Sequence, residues 1–586
     1  MTFKEQGKSS PGVYVLSASF STRIRNVGGV NSIDNFARSW QRAACFPEVI
    51  PRRASLVTFE SDDEWPVRSS EDGEESRISQ PFGSEPDFAR PLLDPGAETD
   101  DTSRRGFPSA GVLGTSWDRN YGTSYGTMSS RVTESTRRNA IQLHNEPQTQ
   151  QDVPGDCSNQ QLLVKHVEND EGIRGSIVVG QSTVPQTIFN SVNVLIGVGL
   201  LSLPLAMKQA GWFLGLLFLI FAAVATAYTA KVLARCLDVD PGLITYADLA
   251  YVSFGYHARL VVSVLFCLEL IGACVALVVL FGDSLHALIP EISTIQWKIV
   301  CGVALLPLNF VPLRLLSVTS ILGILSCTSI VVIIFVDGLL KPNAPGSLRQ
   351  PARTSFFPDT WATVPLSLGL IMSPWGGHGV FPNIYRDMRH PQKYGKSLWS
   401  TYIFTFLLDC SMAIIGWIMF GDGVRDEITS NVLVTSEYPQ FLSICIIIFI
   451  AIIPITKVPL SARPLVATVE VLCGLALPPN AITEPPKGVR DSIRQSSRIL
   501  IRILVVVLIV LMAVVFPSFD RIMALMGSAL CFTICIILPL AFYLKIFGKE
   551  ISLSERILDW LLLITSTAMA IIGTVWAFLP QNMISA

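Results

Sequence analysis

Charge is missing altogether from one stretch of this chain: Gln181 to Met207, QSTVPQTIFNSVNVLIGVGLLSLPLAM, holds no Asp, Glu, Lys or Arg. Roughly 20 apolar residues in a helix cross a bilayer, so this absence excludes a solvated surface segment and reads as a membrane span. Cysteines are few, 12 in 586 residues, and lack the paired spacing of a metal site or disulfide framework. Most lie inside apolar runs, as Cys267, Cys274, Cys531 and Cys535 do, and read as small packing residues. No GxxxxGK[S/T] phosphate loop occurs, which argues against a primary pump. The N-terminus has no apolar leader followed by small residues at a cleavage site, so the polar segment there is expected to stay in the cytosol. No metal, cofactor or nucleic-acid partner is expected.

What is present falls into two parts. Residues 1–180 are polar, rich in Ser, Arg, Asp and Glu, with acidic runs at Ser61 to Trp65 and Glu71 to Ser76. Such a stretch buries too little apolar area to offset the entropy of ordering it, and a disordered cytosolic tail is expected. Within it, Ser19 to Phe46 is more apolar than its surroundings; a solvated segment is the default there, and a short helix docked on the membrane domain is the alternative. Leu162 to Val179 alternate enough for a small hairpin. The run RPLLDPG (Arg90 to Gly96) approaches an acidic dileucine sorting signal, but Asp87 stands one residue too far from Leu92.

Residues 181–586 are a series of apolar spans joined by short charged loops, expected to form an all-α integral membrane domain in contact with the lipid bilayer. After the first span come Trp212–Thr229, Leu260–Phe281, Ile299–Leu313, Leu315–Val336, an interrupted span from Thr360 to Tyr385, Leu398–Phe420, Phe441–Leu460, Ile503–Phe519, Ile522–Leu544 and Ile557–Leu579, eleven in all. With the tail inside, the inner loops hold seventeen lysines and arginines and the outer loops seven, as the positive-inside rule requires. The C-terminus then lies on the opposite, luminal side.

Two spans carry the same fault. The first is interrupted by Gly197 and Gly199, the sixth by Gly376, Gly377 and Gly379 in WGGHG. Glycine lets the backbone leave the helical ladder, and unpaired amides at membrane depth survive only where they are buried in protein or line a cavity. Glycine in membrane helices also serves close packing, but two breaks at corresponding places in two halves point to a transporter's substrate site. Pairing span one with span six divides the first ten into five plus five, an inverted repeat with an eleventh helix appended.

Four blocks resemble the amino acid/auxin permease family: TIFNSVNVLIGVGLLSLPLA (Thr187 to Ala206), LELIGACVALVVLFGDSL (Leu268 to Leu285), IMSPWGGHGVFPNIYRDMRHPQKY (Ile371 to Tyr394) and MGSALCFTICIILPLAFYLKI (Met526 to Ile546). Within that family the likeness is to the fungal vacuolar neutral amino-acid transporter branch. The resemblance implies eleven helices in the five-plus-five inverted repeat of the leucine-transporter type. It also implies proton-coupled exchange of neutral amino acids across the membrane of a vacuole or other acidic organelle, by antiport and alternating access.

A zwitterionic amino acid needs donors for its carboxylate and acceptors for its ammonium, and a broken helix supplies both. The carboxylate is assigned to the backbone at Gly197, Val198 and Gly199, steadied by Asn193; the ammonium to carbonyls near Ser373, Pro374, Trp375, Gly376 and Gly377. Ionisable groups inside spans are costly and usually functional. Glu269, Lys457, Asp409 and His378 are the candidates for handling protons, each weighed against a structural role: a static hydrogen-bonded carboxyl for Glu269 and Asp409, a snorkelling chain for Lys457, a cap on free carbonyls for His378. In sodium-coupled relatives of this fold a hydroxyl pair on the eighth helix helps to hold a cation against the first. Thr456 with Lys457 resembles its counterpart, and an ammonium there would repel sodium. Alternatives are an amino-acid sensor of the same fold, signalling through its tail, and a sodium-coupled symporter. A membrane enzyme is disfavoured, since His378 and Asp387 have no nucleophile beside them.

Overall fold

The computed structural model describes residues 33–44, 56–58, 135, 136, 139, 162–168 and 174–178, together with residues 180–579 apart from 241, 242, 312, 436, 474, 476–488 and 549. The chain divides into two units, residues 1–58 with 125–586, and residues 59–124. The second unit, and with it RPLLDPG, lies outside the described residues.

Helices form where apolar residues run long between good caps. Helix α1 is Ile33–Ala44, within the tail. Helix α2, Val184–Leu195, starts with a proline in its first turn and with the Gln186 side chain accepting the Thr183 amide at 2.9 Å. After a tight turn, α3 runs Leu203–Leu237 and contains two helices joined through Gly211, which has φ +74°. A Cβ at Gly211 would come within 2.6 Å of the Phe357 backbone, so only glycine fits that corner. There follow α4 (Tyr246–Phe254), α5 (Tyr256–Leu288), α6 (Thr294–Leu308) and α7 (Leu313–Leu340). The second broken segment is α8 (Val364–Met372) and α9 (Phe381–Arg386), followed by α10 (Tyr394–Phe420), α11 (Ile428–Val434), α12 (Gln440–Leu472) and α13 (Val489–Val515). The last spans are α14 (Phe519–Leu525), continuing through a π-helical stretch Met526–Ile537 into α15 (Leu538–Phe547), and α16 (Leu553–Phe578).

Eight helical runs among the described residues are long and apolar enough to cross a membrane, from Val198–Leu237 to Leu553–Phe578; Thr294–Leu308 is apolar but shorter. Their outward faces expose Leu217, Ile220 and Val224 on α3, Leu260, Val264 and Leu268 on α5, Leu504, Leu508 and Leu511 on α13, and Leu558, Leu561 and Ile564 on α16. Continuous apolar surface of this extent marks contact with lipid rather than water. The polar side chains turn inward instead: Asn190, Ser191, Asn193, Thr226, Thr229, Ser367 and Asp409 are all buried. This is a multi-pass helical membrane protein.

The interior is assembled around α3, α8, α10 and α12. Helix α10 packs on α2 and α3, α12 on α5 and α7, and α8 on α3 and α16. Where α8 meets the end of α14 and the start of the π-helical stretch the backbones touch, because a Cβ on Gly369 would strike the Ala524 carbonyl and one on Gly527 the Gly369 carbonyl.

Residues 1–180, expected to lack order, contain two described elements of structure. The hairpin expected between Leu162 and Val179 is present as β2 (Leu162–Glu168) and β3 (Arg174–Val178), antiparallel, with β1 (Leu56–Thr58) parallel to β2. Between Ser19 and Phe46, where the sequence makes a solvated segment the default, the structure has the alternative instead: the short helix α1, docked against α2, α7 and α9.

Candidate substrate site at two helix breaks

At the first break, α2 ends at Leu195 and the chain leaves the helix at Ile196 (φ −75°, ψ 111°) and Gly197 (φ −143°, ψ −165°). A tight 3-10 turn, Val198–Ser202, then leads into α3. The opening amides of such a turn and the closing carbonyls of α2 have no partners within their own helices. The two glycines differ. Nothing lies within 4 Å of where a Cβ on Gly197 would stand, so this residue borders open space; a Cβ on Gly199 would come within 2.8 Å of Ser373 Oγ and 3.0 Å of Pro374 N.

The second break thus lies directly against the first. Helix α8 ends at Met372, a 3-10 turn spans Ser373–Trp375, and Gly376 is extended (φ −70°, ψ 99°) before α9 begins. Trp375 is fully buried and stacks on Tyr402 of α10, centroids 5.5 Å apart and planes 15° from parallel. Ser373 Oγ donates to Leu370 O at 2.9 Å, which leaves its carbonyl facing Cys531, whose thiol approaches at 3.9 Å. A Cβ on Gly377 would meet Leu195 and Val194 at 3.0 and 3.1 Å, so the second break also seats the end of α2.

Two side chains of opposite charge reach these breaks. Lys457 of α12 donates from Nζ to the carbonyls of Asn193 and Ile196, at 3.1 and 2.5 Å, so its ammonium stands on the C-terminal end of α2, where the helix dipole is negative. Its stem passes over Gly323 of α7, where a Cβ would lie 3.6 Å from Lys457 Cε and 3.0 Å from Thr456 Oγ1. Thr456 itself is buried and donates to Ile453 O at 3.0 Å. Glu269 of α5 points at the other break: its Oε1 is 3.0 Å from where a Cβ on Gly376 would be, level with Cys531 Sγ. Glu269 and Lys457 are both half-buried, while Trp375 and His378 are sealed.

The remaining candidates stand apart. His378 is fully buried and turned toward α3, its Nε2 3.1 Å from Thr226 O and 3.0 Å from Thr229 Oγ1, while Thr229 Oγ1 also donates to Cys535 O at 2.6 Å. This places the histidine in a hydrogen-bonded junction between α3 and the π-helical stretch. Asp409 is buried on α10. The Asn193 side-chain amide is buried with no bond among the described residues, although its carbonyl serves Lys457. Sequence reasoning did not single out Gly323, Tyr402 or Cys531. Nothing local marks Gly323 as the residue that admits Lys457, because it stands in an ordinary membrane-helix run of apolar and small hydroxyl residues.

A multi-pass bundle whose irregular backbone and ionisable side chains converge on two abutting helix breaks has the build of a membrane transporter. The sequence profile described as transmembrane amino acid transporter protein matches residues 180–579. Amino acid transporter AVT1B of Arabidopsis thaliana is 29% identical over 422 residues, covering 70% of this chain and 72% of that one. Amino acid transporter AVT1E of the same plant is 30% identical over 376 residues, covering 62% and 67%. Among solved structures, the crystal structure of MhsT in complex with L-phenylalanine aligns over 67% of this chain and 98% of that one, at 12% identity and a TM-score of 0.41. The chain belongs to the transmembrane amino acid transporter family, the amino acid/auxin permeases.

Proposed function

We propose that this protein is a secondary active transporter of neutral amino acids, exchanging them for protons across the membrane of a vacuole or similar acidic organelle. Its frame is read as eleven spans in a five-plus-five inverted repeat, with the N-terminus cytosolic and the C-terminus luminal. The observation that carries the reading is the pair of abutting breaks, with the ionisable side chain of Lys457 at one and that of Glu269 at the other. The amides of Val198 and Gly199 take the substrate carboxylate, and the carbonyls around Ser373 to Gly376 take its ammonium.

Glu269 supplies the coupling in this reading. A carboxylate beside the ammonium site holds either the substrate's positive charge or a proton, and release of one admits the other; that competition is antiport. Lys457 supplies the fixed cation at the end of α2. Its ammonium fills the place a sodium ion would need, which favours protons over sodium as the coupling ion.

The test is uptake by the purified protein in liposomes with an imposed pH gradient and no sodium. Accumulation of a labelled neutral amino acid that collapses with the gradient is expected. Uptake that requires sodium would overturn the proton reading, and binding without translocation would leave a sensor in its place. Competition by a panel of common amino acids against the labelled one defines the substrate range.

A further inference from the structure

Helix α1 is held at the tail-side end of the bundle by an unusually complete set of polar contacts. Arg42 Nε donates to Asp387 Oδ1 at 2.8 Å, and Arg42 Nη2 donates to Ser182 Oγ at 3.1 Å. Ser39 Oγ lies 2.6 Å from Ser182 Oγ and accepts from Asn190 Nδ2 at 2.8 Å. Ser182 in turn donates to the other oxygen of Asp387, and Asn383 Nδ2 reaches the Ala43 carbonyl at 3.5 Å. Apolar contact backs these bonds: Ala37, Trp40 and Ala43 are buried, and Phe36 meets Phe189 edge to face at 5.1 Å. An ion pair in water contributes little, but Asp387 is 1% exposed and Arg42 10%, so either one left alone would be a buried, uncompensated charge.

Besides α7, on which it packs, the polar partners of α1 belong to both broken segments. Ser182, Phe189 and Asn190 lie at or on α2, which leads into the first break; Asn383 and Asp387 lie on or just after α9, which leads out of the second. These two chain ends are already paired through their backbones, Ser182 N donating to Asp387 O at 2.6 Å and Arg389 N to Ser182 O at 2.8 Å. Because α1 bonds to both, they separate only when it departs, and its tether through the chain brings it back.

We propose that α1 is an autoinhibitory latch: docked, it ties α2 to α9 and closes the tail-side mouth, and its release is what permits exchange. The proposal rests on the transporter reading above for its functional consequence, and on geometry alone for the latch itself.

Two measurements on the full-length protein test it. Arg42→Ala and, independently, Trp40→Ala are expected to raise amino-acid exchange in liposomes about threefold and to speed amide hydrogen exchange over Val184–Leu195. The double substitution Ser39→Cys with Ser182→Cys, with each single substitution as control, is expected to stop exchange when oxidised and to recover on reduction. Unchanged or lowered transport in Arg42→Ala, or an oxidised double-cysteine protein that exchanges like the reduced one, would overturn the latch. If the wild-type chain moves no amino acid at all, the transporter reading falls. The latch is then decided by hydrogen exchange: faster over α2 in Arg42→Ala upholds it, and no change overturns it.

Discussion

The two breaks share one backbone fault and differ in what the protein has put beside them. At the first, the carbonyl end of α2 is already occupied by Lys457, and Gly197 opens onto free space. At the second, Trp375 is sealed against Tyr402, and the groups nearest Gly376 are the Cys531 thiol and the Glu269 carboxyl. A lysine and a glutamate, both half-buried, thus flank a single junction. Under the proposed function the difference becomes a division of labour: Lys457 organises the backbone, and Glu269 is the group that meets the substrate ammonium.

Removing the anion should have the largest effect. Glu269→Gln keeps the shape at Gly376 and loses the charge; breaking a close charge pair costs about 2–5 kcal/mol. Uptake driven by a pH gradient is expected to fall at least about thirtyfold, with the residual exchange insensitive to pH. A variant that kept its pH dependence would remove Glu269 from the coupling step.

The glycines come next. Gly199→Ala forces a Cβ into Ser373 Oγ and the Pro374 backbone, at 2.8 and 3.0 Å, and overpacking of this kind costs about 1–3 kcal/mol. About a tenfold loss of exchange is expected, against little change for Gly197→Ala, which meets nothing within 4 Å. Equal losses at both positions would show that backbone freedom, rather than the abutment of the two breaks, decides the site. Lys457→Met leaves two carbonyls at the end of α2 without their cation, at about 1–3 kcal/mol for each unsatisfied group. A lower unfolding temperature in detergent is expected, together with faster hydrogen exchange in α2 than in α8; uniform loss across both would dissolve the contrast between the breaks.

Much of this arrangement was legible in the sequence, for reasons that can be named. Lipid-facing helices need long apolar runs, so the spans declared themselves, although α6 begins at Thr294 rather than Ile299 because Ser293 and Gln296 cap it earlier, with bonds of 2.9 and 3.3 Å. The glycine clusters marked both breaks, since few other residues tolerate them at membrane depth. What one sequence cannot encode visibly is which faces meet. Lys298 counts as a loop lysine by position, yet it is buried on α6 with Nζ on Ala513 O at 3.0 Å, in space left by Gly282. His378 sits beside Gly377 in the sequence and still turns away toward Thr226 and Thr229. The latch was the least legible, because Ser39 and Arg42 look like ordinary polar residues until Ser182 and Asp387, far along the chain, are placed beside them.

A carboxyl remote from the breaks sharpens the role given to Glu269. Glu427, in the loop before α11, is buried; its Oε2 accepts from Ser284 Oγ at 3.4 Å, and its Oε1 has no bond among the described residues. Burial first, then the neighbouring Asp283 and Asp426, push its carboxyl well above the ordinary range, with Ser284 and Lys298 opposing. In the unfolded chain the same group ionises near pH 4.3. Above that point the native state therefore holds a proton that the unfolded state has lost, and stability falls as pH rises toward the native value. Glu427→Gln should flatten this decline and raise the unfolding temperature at pH 7.5 by about 2 °C, while leaving the pH dependence of transport as it was. Loss of that transport dependence would move proton coupling away from Glu269 and to the far side of the bundle.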